Sequence, residues 1–186
     1  MKRPRMLAYL EAFLKDRNVA TIFPSSQSLI RRVIKALDLS GAETVVEYGP
    51  ADGILTVSLL KHLGPKATLV AIELNPGFYR ALKGKVKDPR LKAVRGDVRK
   101  VREILSGLGI EKADRVVSGI PFTLLKPKER EELVKATGKV LNPGGRFVAY
   151  QITTVLADPL KRHFSKVKTE FEIRSLPPQF VFTALR

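Results

Sequence analysis

Val45-Val46-Glu47-Tyr48-Gly49-Pro50-Ala51-Asp52-Gly53-Ile54-Leu55-Thr56 is a β-branched apolar run that passes through a glycine-bearing turn into a helical pattern. A strand followed by such a turn builds a ligand pocket at the strand's carboxyl end. Gly49 permits a tight turn, and Gly53 lets the next helix start close to the strand, so backbone can approach a ligand with no Cβ in the way. Ala51 stands where a glycine is often found, and its methyl group narrows the site without closing it.

Working outward, β-branched runs alternate with helical stretches, the signature of repeated βαβ units and a mainly parallel sheet. The spacing predicts strands at Thr44–Tyr48, Thr68–Glu73, Leu91–Arg95, Arg115–Ser118 and Arg146–Gln151. Helices are expected at Gly53–His62, Pro76–Lys85, Val98–Ser106 and Pro127–Val140. Pro76 and Pro127 suit the first helical turn. After Pro159 two extended runs, Lys166–Arg174 and Phe180–Leu185, are split by Pro177 and Pro178 with no helical pattern between them, so they should pair antiparallel. Before the core, Met6, Leu7, Leu10, Phe13 and Leu14 form an apolar stripe over Arg5–Arg17, an amphipathic helix. A second helix, capped by Ser25 or Ser26, carries Leu29, Ile30, Val33, Ile34 and Leu37 and should stop near Ser40 and Gly41. The expected organisation is a helical extension, residues 1–40, followed by a core, residues 41–186.

The chain has 186 residues, 44% of them apolar, enough for one substantial core. It has no cysteine, which removes disulfides, thiolate metal sites and cysteine nucleophiles, and no His and Cys cluster has metal-ligand spacing. His62 and His163 read as solvated. The segment after Met1 is broken by Glu11, Lys15, Asp16 and Arg17, unlike a secretory leader, and no apolar run reaches membrane-spanning length. A cytoplasmic or peripheral protein is expected. A net charge of +16 draws it toward polyanions, either nucleic acid or an anionic lipid surface.

A glycine turn by itself also fits a dinucleotide-binding fold. Three acids at successive strand ends discriminate further. Glu73, followed by Leu74, ends the second strand, where a carboxylate can accept hydrogen bonds from both ribose hydroxyls of an adenosine. Asp97 follows the third strand in Arg95-Gly96-Asp97, where it can accept the adenine amino proton, with Val98 beside the ring. Glu47 completes the set, and a dehydrogenase would leave the third acid unexplained.

Residues 44–151 resemble the class I methyltransferases. The resemblance implies a Rossmann-like α/β fold: a seven-stranded, mostly parallel sheet with an antiparallel final strand and helices on both faces. It also implies S-adenosylmethionine as cofactor. Glu47 would then face the methionine amino group, directly or through water; Gly49, Pro50, Ala51 and Gly53 would wrap the methionine and ribose; Glu73 and Leu74 would take the ribose; Asp97 and Val98 would mark the adenine pocket. The acceptor would meet Ser118-Gly119-Ile120-Pro121-Phe122 after the fourth strand, with Ser118 also touching the cofactor and Tyr150 nearby as pocket lining or core. Ser118 stands where nucleic-acid adenine methyltransferases usually carry Asn or Asp, which counts against an adenine substrate.

Across nearly the whole chain, the order and spacing of several short pieces resemble the short bacterial phospholipid N-methyltransferases that act on phosphatidylethanolamine. The pieces are Ile22-Phe23-Pro24-Ser25-Ser26, Glu47-Tyr48-Gly49-Pro50, Ser118 to Phe122, Asn142-Pro143-Gly144-Gly145 and Leu176-Pro177-Pro178-Gln179. This implies an enzyme at the inner face of the membrane, with a phospholipid acceptor, an anionic surface as partner and no obligate protein partner. Lys2, Arg3, Arg5, Lys15, Arg17, Arg31, Arg32 and Lys35 oppose only Glu11 and Asp16 in this region, so the first helix either docks on headgroups or packs on the core. Two rivals remain: an RNA adenine methyltransferase, weakened by the lack of a separate C-terminal RNA-binding domain, and a cofactor- or membrane-binding module without catalysis.

Overall fold

The computed structural model describes residues 26–175 and 177–186. The expected Arg5–Arg17 helix and the Ile22 to Ser25 segment lie outside them. Helix α1 spans Gln27–Leu37, and the Ser26 hydroxyl caps it by accepting from the Leu29 amide at 3.2 Å. Its stripe of Leu29, Val33 and Leu37 is fully buried. At its far end, Arg115 Nε donates to the Leu37 carbonyl at 2.7 Å and Arg146 donates to the Ala36 carbonyl at 3.2 Å, so two cations satisfy carbonyls that the helix leaves open. Arg115 lies in the first half of the strand Ala113–Ser118 and Arg146 pairs beside it in the strand Leu141–Gln151, while Arg32 reaches Glu172 at the end of the strand Lys166–Glu172, so α1 ends nearer the amino edge of the sheet and Ser26 sits toward the carboxyl edge.

From there the chain runs β1 (Thr44–Tyr48), α2 (Ile54–His62), β2 (Thr68–Glu73), α3 (Pro76–Lys85), β3 (Leu91–Arg95), α4 (Val101–Gly107), β4 (Ala113–Ser118), α5 (Pro127–Val140), β5 (Leu141–Gln151), α6 (Ala157–His163), β6 (Lys166–Glu172) and β7 (Gln179–Leu185). The seven strands form one sheet in the order β3-β2-β1-β4-β5-β7-β6. The first five pair parallel, while β7 runs antiparallel to β5 and β6, so six strands point one way and the last points back. Alternate strand residues feed two layers. Val45, Leu69, Val117 and Val148 pack with α1 and α2; Val46, Val70, Val116 and Phe147 pack with α4, α5 and α6 on the opposite face.

Beyond shifts of a few residues at element ends, the structure departs from the sequence reading in three places. Helix α6 occupies a stretch in which no helix was expected. Pro159 is its third residue, where the missing amide costs no intrahelical hydrogen bond, and Leu156 and Leu160 hold it on the core. Strand β5 begins at Leu141, five residues earlier than expected, because the Asn142 to Gly145 stretch is a bulge between the pairs Ala113–Leu141 and Arg115–Arg146 rather than a loop before the strand. Finally, Val98–Lys100 is a separate 3-10 turn capped by Asp97, so α4 starts at Val101.

Candidate active site at the carboxyl edge of the sheet

The register Glu47–Ala71, Tyr48–Ile72 and Tyr48–Ser118 brings the carboxyl ends of β1, β2 and β4 to one edge. The Gly49 amide donates to Ile72 O and the Gly119 amide to Tyr48 O, tying the three strand ends together. The turn after β1 rises through left-handed residues: Gly49, Ala51 and Gly53 have φ of 68°, 48° and 77°. Gly49 and Gly53 are required by close neighbours as well, because a Cβ would stand 2.7 Å from Ile120 Cγ2 at the first and 2.7 Å from Leu82 Cδ1 at the second. Ala51 adopts the same backbone region with a side chain, at a cost of roughly 1 kcal/mol.

Glu47 is buried, and its Oε2 accepts from the Thr56 hydroxyl at 2.6 Å, so the first turn of α2 holds the carboxyl. Burial pushes Glu47 up to about 8, against the Thr56 hydrogen bond and with some help from Glu73 and Asp52. A buried carboxyl with one neutral partner suits a cationic group placed beside it. Glu73 is also buried. Its Oε2 accepts from the Ala51 amide at 3.1 Å and its Oε1 from the Asn75 amide at 2.8 Å, so one side chain shapes the glycine turn and the start of α3. Burial raises it despite those amides. Each oxygen keeps a lone pair for a hydroxyl donor.

Asp97 is half-buried and already engaged. It accepts from the Arg99 amide at 2.9 Å, and its Oδ2 takes Arg99 Nε at 2.9 Å; Arg99 also reaches Glu129 at 2.8 Å. Burial works to raise Asp97, but the Arg99 contacts outweigh it and hold the carboxylate below its ordinary range. Val98 packs against the core beside it, and Leu74 is half-buried next to Glu73.

On the acceptor side Ser118 is fully buried, and Gly119 lies so close to Tyr150 that a Cβ there would collide with the phenol oxygen and Cζ. Ile120 is half-buried, Pro121 is exposed and Phe122 is buried beneath them. The sheet therefore brings Ser118, Gly119, Ile120 and Tyr150 together, and Gln151 follows Tyr150 directly. Gln151 is buried, its Nε2 donates to Thr153 O at 3.1 Å, and among the described residues Gln151 Oε1 and Thr153 Oγ1 are buried without a partner.

Sequence reasoning missed three participants. Thr56 had a signal, a hydroxyl in the first turn after the glycine turn; Arg99 and Thr153 did not stand out from their neighbours. His163 is not simply solvated, since its Nε2 meets Glu131 at 2.7 Å beside the Arg162 pair. Arg32, counted above among the N-terminal cations that would face an anionic surface, is bound to Glu172 at 2.7 Å and Glu170 at 3.1 Å. No group of His, Asp or Glu among the described residues could hold a metal. A groove of about 550 Å3 runs between α1 and α2, starting at Ile54 beside the glycine turn and lined by Arg31, Lys35 and Lys61, but none of the strand-end acids lines it.

The sequence matches a known family: residues 13–121 fit the model of ribosomal RNA adenine dimethylase. The chain belongs to that family. It is a class I, S-adenosylmethionine-dependent methyltransferase. An ornithine lipid N-methyltransferase of Singulisphaera acidiphila is 34% identical over 175 residues, covering 91% of this chain and 90% of the relative. A ribosomal RNA small subunit methyltransferase A of Dehalococcoides mccartyi is 32% identical over 114 residues, 60% of this methyltransferase and 37% of the relative, so the match spans under two fifths of that protein. The N-methyltransferase NodS of Bradyrhizobium japonicum WM9, solved with S-adenosyl-L-homocysteine, superposes with a TM-score of 0.74 over 97% of this chain and 98% of that one, at 15% identity. That likeness is one of fold.

Proposed function

We propose that this methyltransferase transfers a methyl group to the primary amine of a lipid headgroup at an anionic membrane surface, with phosphatidylethanolamine and ornithine lipid as the two acceptors of that chemistry. The observation that carries this reading is the acceptor strand end. Ser118 is buried and short, and Gly119 is closed off by Tyr150, so the end of β4 itself offers no amide or carboxylate to grip the edge of a purine. A small amine needs only an acceptor or two, and Gln151 Oε1 and Thr153 Oγ1 are buried acceptors lacking partners close by. Similarity along most of its length to an enzyme that N-methylates ornithine lipid supports the same reading.

Glu47 would hold the cofactor's ammonium group, Glu73 its ribose hydroxyls, and Asp97 with Val98 its adenine, while Gly49 to Gly53 follow its backbone-facing side. Bound S-adenosylmethionine supplies an electrophilic methyl group. The protein's own task is to hold a neutral amine lone pair at about 3 Å on the line of attack, an effect of proximity. Ser118 and the carbonyls of Ser118 to Ile120 orient the amine; desolvation at the strand end disfavours its ammonium form, and water takes the proton. No helix of the described residues is long and apolar enough to cross a membrane, and the proposed enzyme meets its lipid at the surface of the bilayer. The basic amphipathic stretch over residues 1–17 supplies that contact, with Leu10, Phe13 and Leu14 inserted and the cations on headgroups.

The test removes residues 1–17. Vesicle binding and lipid methylation should be lost while cofactor affinity stays within a few-fold, because the strand-end acids are untouched. A truncated enzyme that methylates vesicles at the parent rate would refute this arrangement.

A further inference from the structure

Four large apolar side chains are exposed among the described residues, and three of them lie at the carboxyl ends of β5 and β6. Ile152 (59% exposed) follows β5, Phe171 (51%) is next to last in β6, and Ile173 (72%) follows β6. The register puts those ends side by side: Gln151 pairs with Phe180 and Phe180 pairs with Phe171, so the ends of β5 and β6 meet in one row across β7. The Phe171 and Phe180 rings lie 4.9 Å apart, which extends the apolar surface inward. Because β6 runs in the same direction as β5, this is the carboxyl edge of the sheet, the edge that carries Ser118 and Tyr150. Tyr150 is one strand-end residue away from Gln151, and β6 lies two strand spacings, roughly 10 Å, from β5.

We infer that Ile152, Phe171 and Ile173 form a second, folded docking surface that inserts into a lipid bilayer beside the acceptor site. The inference rests on the lipid reading above and extends it from the N-terminal stretch to the sheet edge. Exposed apolar groups at the end of an edge strand invite aggregation unless a partner covers them, and charged residues guard the rest of β6: Lys166, Lys168, Glu170. The partner's chemistry follows from the setting. Lys168, Glu170 and Glu172 alternate with Phe171 along β6, Arg32 and Arg174 pair with those acids, and the chain carries a net charge of +16, which suits a surface that is apolar below and anionic at its face. Ser26, where the described chain begins, also lies toward this edge. A headgroup amine pulled from such a bilayer has only the width of the sheet end to cross before it meets Gln151 and Ser118.

The chain has no Trp, so full-length Phe171→Trp carries a single reporter. With vesicles of phosphatidylglycerol and phosphatidylcholine, its emission should shift to the blue and be quenched by lipids brominated on their acyl chains. The triple variant Ile152→Ser, Phe171→Ser, Ile173→Ser should partition onto the same vesicles roughly tenfold less, with unchanged S-adenosylmethionine affinity. An unshifted reporter in protein that sediments with vesicles overturns the inference. So does a reporter that is blue-shifted before vesicles are added and turns red when residues 1–25 are deleted, which would make the chain's own start the occupant. A concentration-dependent dimer abolished by the triple variant would assign the surface to a second copy. Vesicle insertion without methylation of any lipid supports the docking surface and removes the lipid-acceptor reading; parent-rate lipid methylation by the triple variant does the reverse.

Discussion

The Thr56 hydroxyl donates to Glu47 Oε2 at 2.6 Å, joining the first turn of α2 to the buried carboxyl of β1. That bond is the one neutral contact on a group whose burial holds it at about 8, far above its unfolded value of 4.5. The folded protein therefore binds a proton here that the unfolded chain has released. Stability from this group is fully present below about pH 4.5 and is lost as pH rises through about 8.

Glu47→Gln keeps the Thr56 contact without the charge. Thermal unfolding of the cofactor-free protein should show a falling midpoint between pH 6 and pH 8.5 that is flatter in the variant, and the variant should be the more stable by a few kcal/mol at the upper end. It should also bind S-adenosylmethionine more weakly, since an ammonium group would lose its counter-charge. Identical pH profiles for parent and variant would contradict a buried, proton-holding Glu47.

Glu73→Ala and Asp97→Ala should each weaken cofactor binding by roughly 1 to 3 kcal/mol in titration calorimetry, because ligand donors lose their acceptors. Glu73→Ala should sit at the upper end, since it also strips the Ala51 and Asn75 amides of their partner. Parent-like affinity in both variants would show that the adenosine lies elsewhere.

Ala51 holds φ of 48° and gives its amide to Glu73. Ala51→Gly relieves the left-handed backbone without touching that bond, so the denaturant midpoint should rise, by up to about 1 kcal/mol in stability, with no loss of cofactor affinity. A lower midpoint would mean that the loop is not strained at this residue.

At the acceptor wall, Gly119→Ala must displace Tyr150 and should lower turnover by up to roughly a hundredfold while cofactor affinity holds. Gln151→Met removes the unpartnered carbonyl oxygen together with the Nε2 bond to Thr153 O, so it should lower stability by about 1 kcal/mol and raise KM for the lipid amine with kcat changed less. Steady-state kinetics separates the two effects, and an unchanged KM would remove Gln151 from the headgroup site.

Much of this was legible in the sequence because it is local. The turn from Glu47 to Gly53, the acids at 73 and 97 and the β-strand runs are short-range patterns, and each recurs at the strand end where its spacing put it. Side-chain partnerships were not legible. Arg32 and Glu172 are 140 residues apart, and nothing in either neighbourhood singles out the other. The contact between Gly119 and Tyr150 depends on how β4 and β5 are paired, and Asp97 reads as a free acceptor until Arg99 folds back on it two residues later. Helix α6 was hidden by Pro159, because a proline in a first turn and a proline that ends a helix look alike until the flanking Leu156 and Leu160 are seen to be buried.

The central claim is settled most directly by offering labelled S-adenosylmethionine to the full-length enzyme in three parallel arms: phosphatidylethanolamine in anionic vesicles, ornithine lipid in the same vesicles, and ribosomal RNA. Label should pass to a lipid in at least one vesicle arm and not to the RNA. Label on RNA with both lipids unmarked would contradict it.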